Sequence, residues 1–182
     1  MIPKAEHLAG KKVHSGTGHR PAKLGGEWLM NGPVSAGLRT AILDFLIADR
    51  PDEVISGMAI GFDMIWAEEA LALGIPVTAA LPCVGQETRW RPEQISRYRR
   101  ILANPKVTTV VCAPGEYSVH MMLNRDHWLV DHTSRPDGKL LACWNGSSGG
   151  TRNTVVYARR KNLPVVYLKA ANPEQTQWVV RS

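Results

Sequence analysis

Three short stretches concentrate the residues that could hold a phosphorylated ligand: Ser15-Gly16-Thr17-Gly18-His19-Arg20-Pro21, Ser56-Gly57-Met58-Ala59-Ile60-Gly61-Phe62-Asp63 and Asn145-Gly146-Ser147-Ser148-Gly149-Gly150-Thr151. Glycine lets a backbone approach phosphate closely and adopt positive φ, and the first N–H groups of a following helix supply donors. A tight turn between strand and helix also needs glycine, so any one stretch has a purely structural explanation. Three at one sheet edge point to a shared anion site. None contains G-x-x-x-x-G-K-[ST] or G-x-G-x-x-G, which sets aside P-loop kinases, GTPases and ordinary dinucleotide dehydrogenases. Within the first stretch, Arg20 could grip a phosphate as a fork, and His19 could donate to a phosphate or ribose oxygen or act near pH 7 as an acid. Asp63, in the first turn of a predicted helix, could contact a ribose hydroxyl or cap that helix.

These stretches need strands and helices to bring them together. Apolar, β-rich runs predict strands over 11–15, 53–56, 76–81, 107–112, 139–144 and 164–168, mostly without the alternation of a half-exposed sheet. Helical periodicity falls between them, over 34–48, 62–73, 93–102, 118–132 and 151–161. Gly74-Ile75-Pro76 and Asn162-Leu163-Pro164 read as helix stops that lead straight into a strand. This rhythm predicts an α/β, Rossmann-like, doubly wound and mainly parallel sheet with helices on both faces, and it places ligands at the carboxyl ends of the strands. The 182 residues, 44% of them hydrophobic, suit one domain over 1–182 with a core at about 11–170. Residues 171–182 read as a docking tail or a frayed end.

Charge and composition narrow the function classes. Twenty-two Lys and Arg against sixteen Asp and Glu give +6, a surplus that suits phosphate-bearing partners. No apolar run reaches the roughly 20 residues of a membrane span, and residues 1–10 lack the apolar centre of a signal peptide, so a cytoplasmic protein without membrane partners is expected. Cys83, Cys112 and Cys143 form no C-x-x-C pair and read as reduced core residues. No H-E-x-x-H or comparable spacing appears among the histidines, so neither metal nor cofactor is expected. Residues 86–100 interleave Arg89, Arg91, Arg97, Arg99 and Arg100 with Trp90 and Tyr98. That composition admits a nucleic-acid track, a solvated helix face, or a Trp90 stacked on a nucleotide base. Glu68 and Glu69 read as solvated helix surface, Trp66 and Trp128 as core or subunit interface, and Met121, Met122 and Leu123 as a homodimer contact.

Thr17-Gly18-His19-Arg20-Pro21 with Leu24-Gly25-Gly26, the second glycine stretch, Asn124-Arg125, and Trp144 through Thr151 followed by Asn153-Thr154 together resemble the YpsA/YspA-like branch of the SLOG superfamily. That superfamily also holds the Lonely Guy phosphoribohydrolases, the molybdenum-cofactor carrier proteins and the DNA-processing protein DprA. The resemblance spans about 13–168 and implies a Rossmann-like fold that binds a nucleotide or nucleotide-derived ligand, in a branch frequent in bacteria and their phages. It implies ligand contacts from Asn124, Asn153 and Thr154 in addition to the glycine stretches. The phosphoribohydrolases cut the N-glycosidic bond of a nucleoside 5′-monophosphate with an Arg and a Glu, the Glu lying three residues beyond the Thr of a P-G-G-x-G-T loop. Arg125 stands in a place similar to that Arg, but the third residue after Thr151 is Thr154. Either another acid substitutes, Asp63 and Glu68 being the candidates, or the protein binds as a sensor or sequestering protein without cutting; a DprA-like role on nucleic acid is the third reading.

Overall fold

The computed structural model describes residues 5–113, 115, 118–134 and 136–182; part of the N-terminal stretch read above, residues 1–4, lies outside them. Seven strands form one sheet: β1 (Val13–Gly18), β2 (Glu53–Ser56), β3 (Val77–Leu81), β4 (Val107–Val111), β5 (Leu140–Cys143), β6 (Val165–Ala170) and β7 (Trp178–Arg181). Five helices connect them: α1 (Pro33–Ala48), α2 (Phe62–Ala72), α3 (Pro92–Leu102), α4 (Val119–Asp131) and α5 (Gly150–Arg160). The spatial order is β4-β3-β2-β1-β5-β6-β7, parallel except for the antiparallel β6–β7 pair. This is the expected Rossmann-like α/β architecture.

The inner strands are buried on both faces, so successive residues feed two cores. Val54, Ala79, Leu81, Leu141 and Cys143 pack against α1, α2 and α3, whereas Ile55, Ala80, Leu140 and Ala142 pack against α4 and α5. Running outward from β1, the chain builds β2, β3 and β4 on one side and then crosses back to place β5 on the other. The carboxyl ends of β1 and β5 therefore flank the topological switch point, where such sheets leave a crevice.

Three expectations change. First, Gly16, Thr17 and Gly18 belong to β1, which pairs Gly16 with Ser56 and Gly18 with Cys143, so the loop begins only at His19. Glycine is required there because α2 lies directly on the strand. A Cβ at Gly16 would stand 2.8 Å from the Trp66 indole, and Phe62 fills the corresponding space at Gly18. Trp66 is fully buried and donates from Nε1 to the Ile55 carbonyl at 3.1 Å. Second, Glu68 and Glu69 are not solvated surface. Glu68 pairs with Arg39 of α1 (2.7 Å) and accepts from Arg97 Nε of α3 (2.6 Å), and Glu69 pairs with Arg39, so the two acids clamp α1, α2 and α3 together. Burial works against the Glu68 charge, but Arg97 and Arg39 outweigh it and hold its carboxyl below the usual range.

Third, the C-terminal segment is not frayed. It closes the sheet as β7, with Ala170 opposite Trp178 and Tyr167 opposite Arg181. Asn172 shapes the turn, its Oδ1 accepting from Thr176 N (3.0 Å) and Gln177 N (3.1 Å). Four residues after a polar run carry too short a period to read as a strand, and only pairing with β6 defines them.

Candidate functional site

A cleft of about 510 Å³ opens at the switch point. One wall is the end of β1 and its continuation, Thr17, Gly18, His19, Arg20 and Lys23; the opposite wall is the β5–α5 loop, Ser147 to Thr151, with Asn153. Apolar Val119, Met122 and Leu123 of α4 close one side, and Asp63, Arg125 and Asp126 form the floor.

The β5–α5 loop is held open by its neighbours. Asn145 Oδ1 accepts from Ser147 N at 3.0 Å and faces His19 Nε2 at 2.9 Å, tying the loop to the end of β1. Lys23 Nζ donates to Ser147 Oγ (2.7 Å), and Trp144 Nε1 donates to the Ser147 carbonyl (2.7 Å). Gly149 caps α5 with φ 136° and no side-chain hydrogen bond, leaving the first N–H groups of the helix aimed at the cleft. Glycine at 149 answers to this positive φ rather than to crowding, since nothing stands within 4 Å of where a Cβ would lie. Burial lowers the His19 pKa against the Asn145 hydrogen bond, with Lys23 and Lys169 adding to the fall. His19 thus favours its neutral form, and its ring orients the loop through Asn145.

The floor is a buried charge cluster. Arg125 is 3% exposed, Asp63 6% and Asp126 8%. Arg125 Nε donates to Asp126 Oδ1 at 2.8 Å, Asp63 Oδ2 lies 3.7 Å from its terminal nitrogen, and that nitrogen also donates to the Gly57 carbonyl. Gly57 must be glycine because the guanidinium occupies the place of a Cβ. Asp63 Oδ2 accepts from Ala59 N at 3.3 Å. Burial pushes the Asp63 carboxyl up to about 6, against the pull of Arg125 and with the charge of Asp126 adding to the rise. Asp126 is also raised by burial, against Arg125 and a hydrogen bond from Thr154. For Arg125, burial disfavours the charge, but Asp126 and Asp63 outweigh it and hold the guanidinium charged.

Asp126 is the functional candidate that sequence reasoning missed. The missing glutamate directed attention to position 154, yet the Thr154 hydroxyl sits 3.1 Å from the Gly150 carbonyl and hydrogen-bonds the Asp126 carboxylate, which comes in from α4. The spacing of Val119, Met122 and Asp126 along one helical face was the available signal.

The remaining predicted residues divide. Ala59, Gly150, Thr151 and Asn153 line the cleft; Gly57, Met58, Gly61, Asn124, Asn145, Gly146 and Thr154 do not. Much of the second glycine stretch braces the site, because several of its backbone donors bind within the protein. Met58 N binds Ser56 Oγ (3.1 Å), Gly61 N the Met30 sulfur (3.1 Å) and Phe62 N the His19 carbonyl (3.2 Å). Trp90 lies in a neighbouring cleft of about 540 Å³ that shares Arg20 with the first. Within the arginine run Arg97 hydrogen-bonds Glu68 (2.6 Å) and Arg91 stacks over Trp28 at 5.7 Å, whereas Arg99 and Arg100, 69% and 74% exposed, approach Glu87 and Glu68 only at 3.6 and 3.9 Å, so the face stays positively charged. Among the described residues no three His, Cys, Asp or Glu side chains converge as a metal site, and no helix is long and apolar enough to cross a membrane.

No family model matches the chain. It is 26% identical over 141 residues, 69% of this chain and 80% of the other, to the uncharacterized SPbeta prophage-derived protein YoqJ of Bacillus subtilis. Among solved structures it is similar to DNA processing protein A of Streptococcus pneumoniae, with a TM-score of 0.60 and 15% identity. That likeness covers 96% of this chain and 56% of the other, so the chain spans little more than half the length of that relative. A second likeness is to DNA processing protein A of Helicobacter pylori, a structure described for its single-stranded DNA binding mode, with a TM-score of 0.57, 13% identity and coverage of 91% and 69%. At these identities, what the chain has in common with the DprA proteins is the fold.

Proposed function

We propose that the chain binds a phosphorylated nucleoside in the β1/β5 cleft and cleaves its N-glycosidic bond. The phosphate rests on the α5 N-terminus beside Lys23 and Arg20, and the ribose lies over the floor. The observation that carries this reading is the floor itself: two buried carboxylates flank one guanidinium beneath a rim of donors and cations. Once both acids ionise the floor is net negative, suited to the oxocarbenium charge that develops on ribose as the C1′–N bond breaks. Asp63, with a pKa of about 6, supplies a proton to the departing base, while Asp126 takes the proton of the water that bonds to C1′. The products are free base and ribose 5-phosphate.

The test is to incubate the protein with a panel of nucleoside 5′-monophosphates, following thermal shift and, by chromatography, free base. A ligand at 100 times its Kd stabilises the fold by about 2.7 kcal/mol. Release of base by the wild type and its loss in a folded Asp126→Asn protein is the expected result; a flat melting temperature across the panel refutes the site. One observation favours a non-catalytic sensor: Arg125 is already engaged by Gly57, Asp126 and Asp63, leaving less of its fork for a substrate. Thermal stabilisation without base release selects that reading. Val119, 76% exposed beside Met121 and Met122, carries the proposed homodimer contact, which light scattering tests directly.

A further inference from the structure

The cleft at the switch point does not end at Arg20. That side chain also lines the second cleft, of about 540 Å³, whose other walls include Gly85, Gln86, Thr88, Arg89 and Trp90. Either volume alone falls within the roughly 300–1,000 Å³ of a small-molecule pocket, so a mononucleotide in the first leaves the second open. The second cleft is built rather than incidental. Trp90 is braced edge-on by Tyr98, with ring centroids 5.3 Å apart. Buried Gln86 links Tyr98 (3.3 Å) to the Met58 carbonyl (3.4 Å) of the second glycine stretch. Val84 gives the rim an apolar edge, being 80% exposed. Arg20 and Arg89 are exposed, and neither takes part in an ion pair among the described residues.

Resting on the nucleotide reading of the first cleft, we infer that the ligand is a dinucleotide. Its first nucleoside unit occupies the β1/β5 cleft, Arg20 grips the bridging phosphate, and Trp90 with Arg89 receives the second base. A half-exposed indole offers a stacking platform, and an unpaired guanidinium beside it offers a phosphate fork. A long single strand fits less well, because the other arginines of the run line neither cleft. Arg97 is held by Glu68 and Arg91 by the Trp28 ring, and the exposed Arg99 and Arg100 lie on α3 outside the lining of both clefts.

Calorimetric titration with adenosine 5′-monophosphate, a 5′–5′ pyrophosphate-linked diadenosine, 3′–5′-linked ApA and a longer oligoadenylate tests this, with ligand integrity checked by chromatography. A second base on an aromatic platform predicts about tenfold tighter binding for a dinucleotide than for the monophosphate. The pyrophosphate-linked and 3′–5′-linked arms tell a small-molecule dinucleotide from a nucleic-acid fragment. Arg89→Ala and Trp90→Ala should erase the gain and Trp90→Phe should keep most of it; Arg89, at the surface, serves if the Trp90 variants do not fold. Monophosphate binding with no gain for either dinucleotide overturns this inference alone. Affinity that keeps climbing with oligoadenylate length overturns it in favour of a strand. Absence of any monophosphate binding strikes the function proposed above, and dinucleotide binding that depends on Trp90 would then still support the second subsite.

Discussion

Replacing Asp63 by Asn separates charge from shape at the floor of the cleft. Burial, opposed by Arg125 and reinforced by Asp126, lifts this carboxyl from an ordinary 3.8 to about 6. The folded protein therefore holds the Asp63 proton more tightly than the unfolded chain does. Below about pH 4 both states are protonated and the site costs nothing. Between about 4 and 6 the folded state binds more protons, so stability falls as pH rises, and above 6 the full penalty of a buried charge is present. At about 1.4 kcal/mol per pH unit, the gap amounts to about 3 kcal/mol. Asn cannot ionise, keeps an oxygen for the Ala59 N–H, and loses the attraction to Arg125 as an offset that does not depend on pH. Titrating groups remote from the floor act equally in both proteins, while Asp126 loses a like-charged neighbour in Asp63→Asn. Asp49 is one of the remote groups: burial raises its pKa, but Lys12, Lys139 and His14 outweigh that and bring it to about 2, so its contribution is lost as pH falls from about 4. The measurement is urea unfolding of wild type and Asp63→Asn at a series of pH values from 4 to 8. The stability of Asp63→Asn relative to wild type should rise by about 2 kcal/mol between pH 4 and 7, most of the full gap. A difference that stays constant would mean that Asp63 titrates alike in both states, and its assignment as the acid would fall with the buried cluster.

Other substitutions probe the remaining parts. Gly16→Ala places a methyl 2.8 Å from the Trp66 indole and should cost about 1–3 kcal/mol in urea unfolding; a neutral result would mean that α2 does not lie directly on β1. Gly150→Val should do the opposite, keeping stability near wild type, because its Cβ meets only Asp126 Oδ2 at 3.9 Å, while weakening nucleotide binding by at least tenfold where backbone must approach phosphate. Undiminished binding would remove the α5 N-terminus from the site. Thr154→Glu, which restores the glutamate of the phosphoribohydrolases on paper, brings a third carboxylate against Asp126 at a position 1% exposed. It should lose about 3 kcal/mol or more at neutral pH, recovered in part on acidification, and an equally stable, more active variant would show that Asp126 had not taken that place.

Most of the sheet was legible because strands such as β3 and β5 are apolar runs led by helix stops or turns, and those signals are local; central β1, Val-His-Ser-Gly-Thr-Gly, is not such a run, and its end was placed too early. The glycines were not legible in the same way, because one residue type answers three different demands here. At Gly16 and Gly18 it lets the aromatic side chains of α2 touch a strand, at Gly57 it leaves room for the guanidinium of Arg125, and at Gly149 it supplies the positive φ that uncaps α5. A sequence records the glycine but not the neighbour that required it, so the packing demand at the first two groups was hidden behind their likeness to a phosphate cradle. The acids failed for a related reason. Glu68 and Asp126 are both helical carboxylates beside arginines, and what separates a clamp between helices from the floor of a cleft is which elements converge on them. Glu68 meets α1 and α3, whereas Asp126 meets the strand ends at the switch point and the hydroxyl of Thr154. Asp126 of α4 and Thr154 of α5 meet at the cleft, so the charge of its floor is set by which helices converge there, a property of the fold that no single stretch of sequence records.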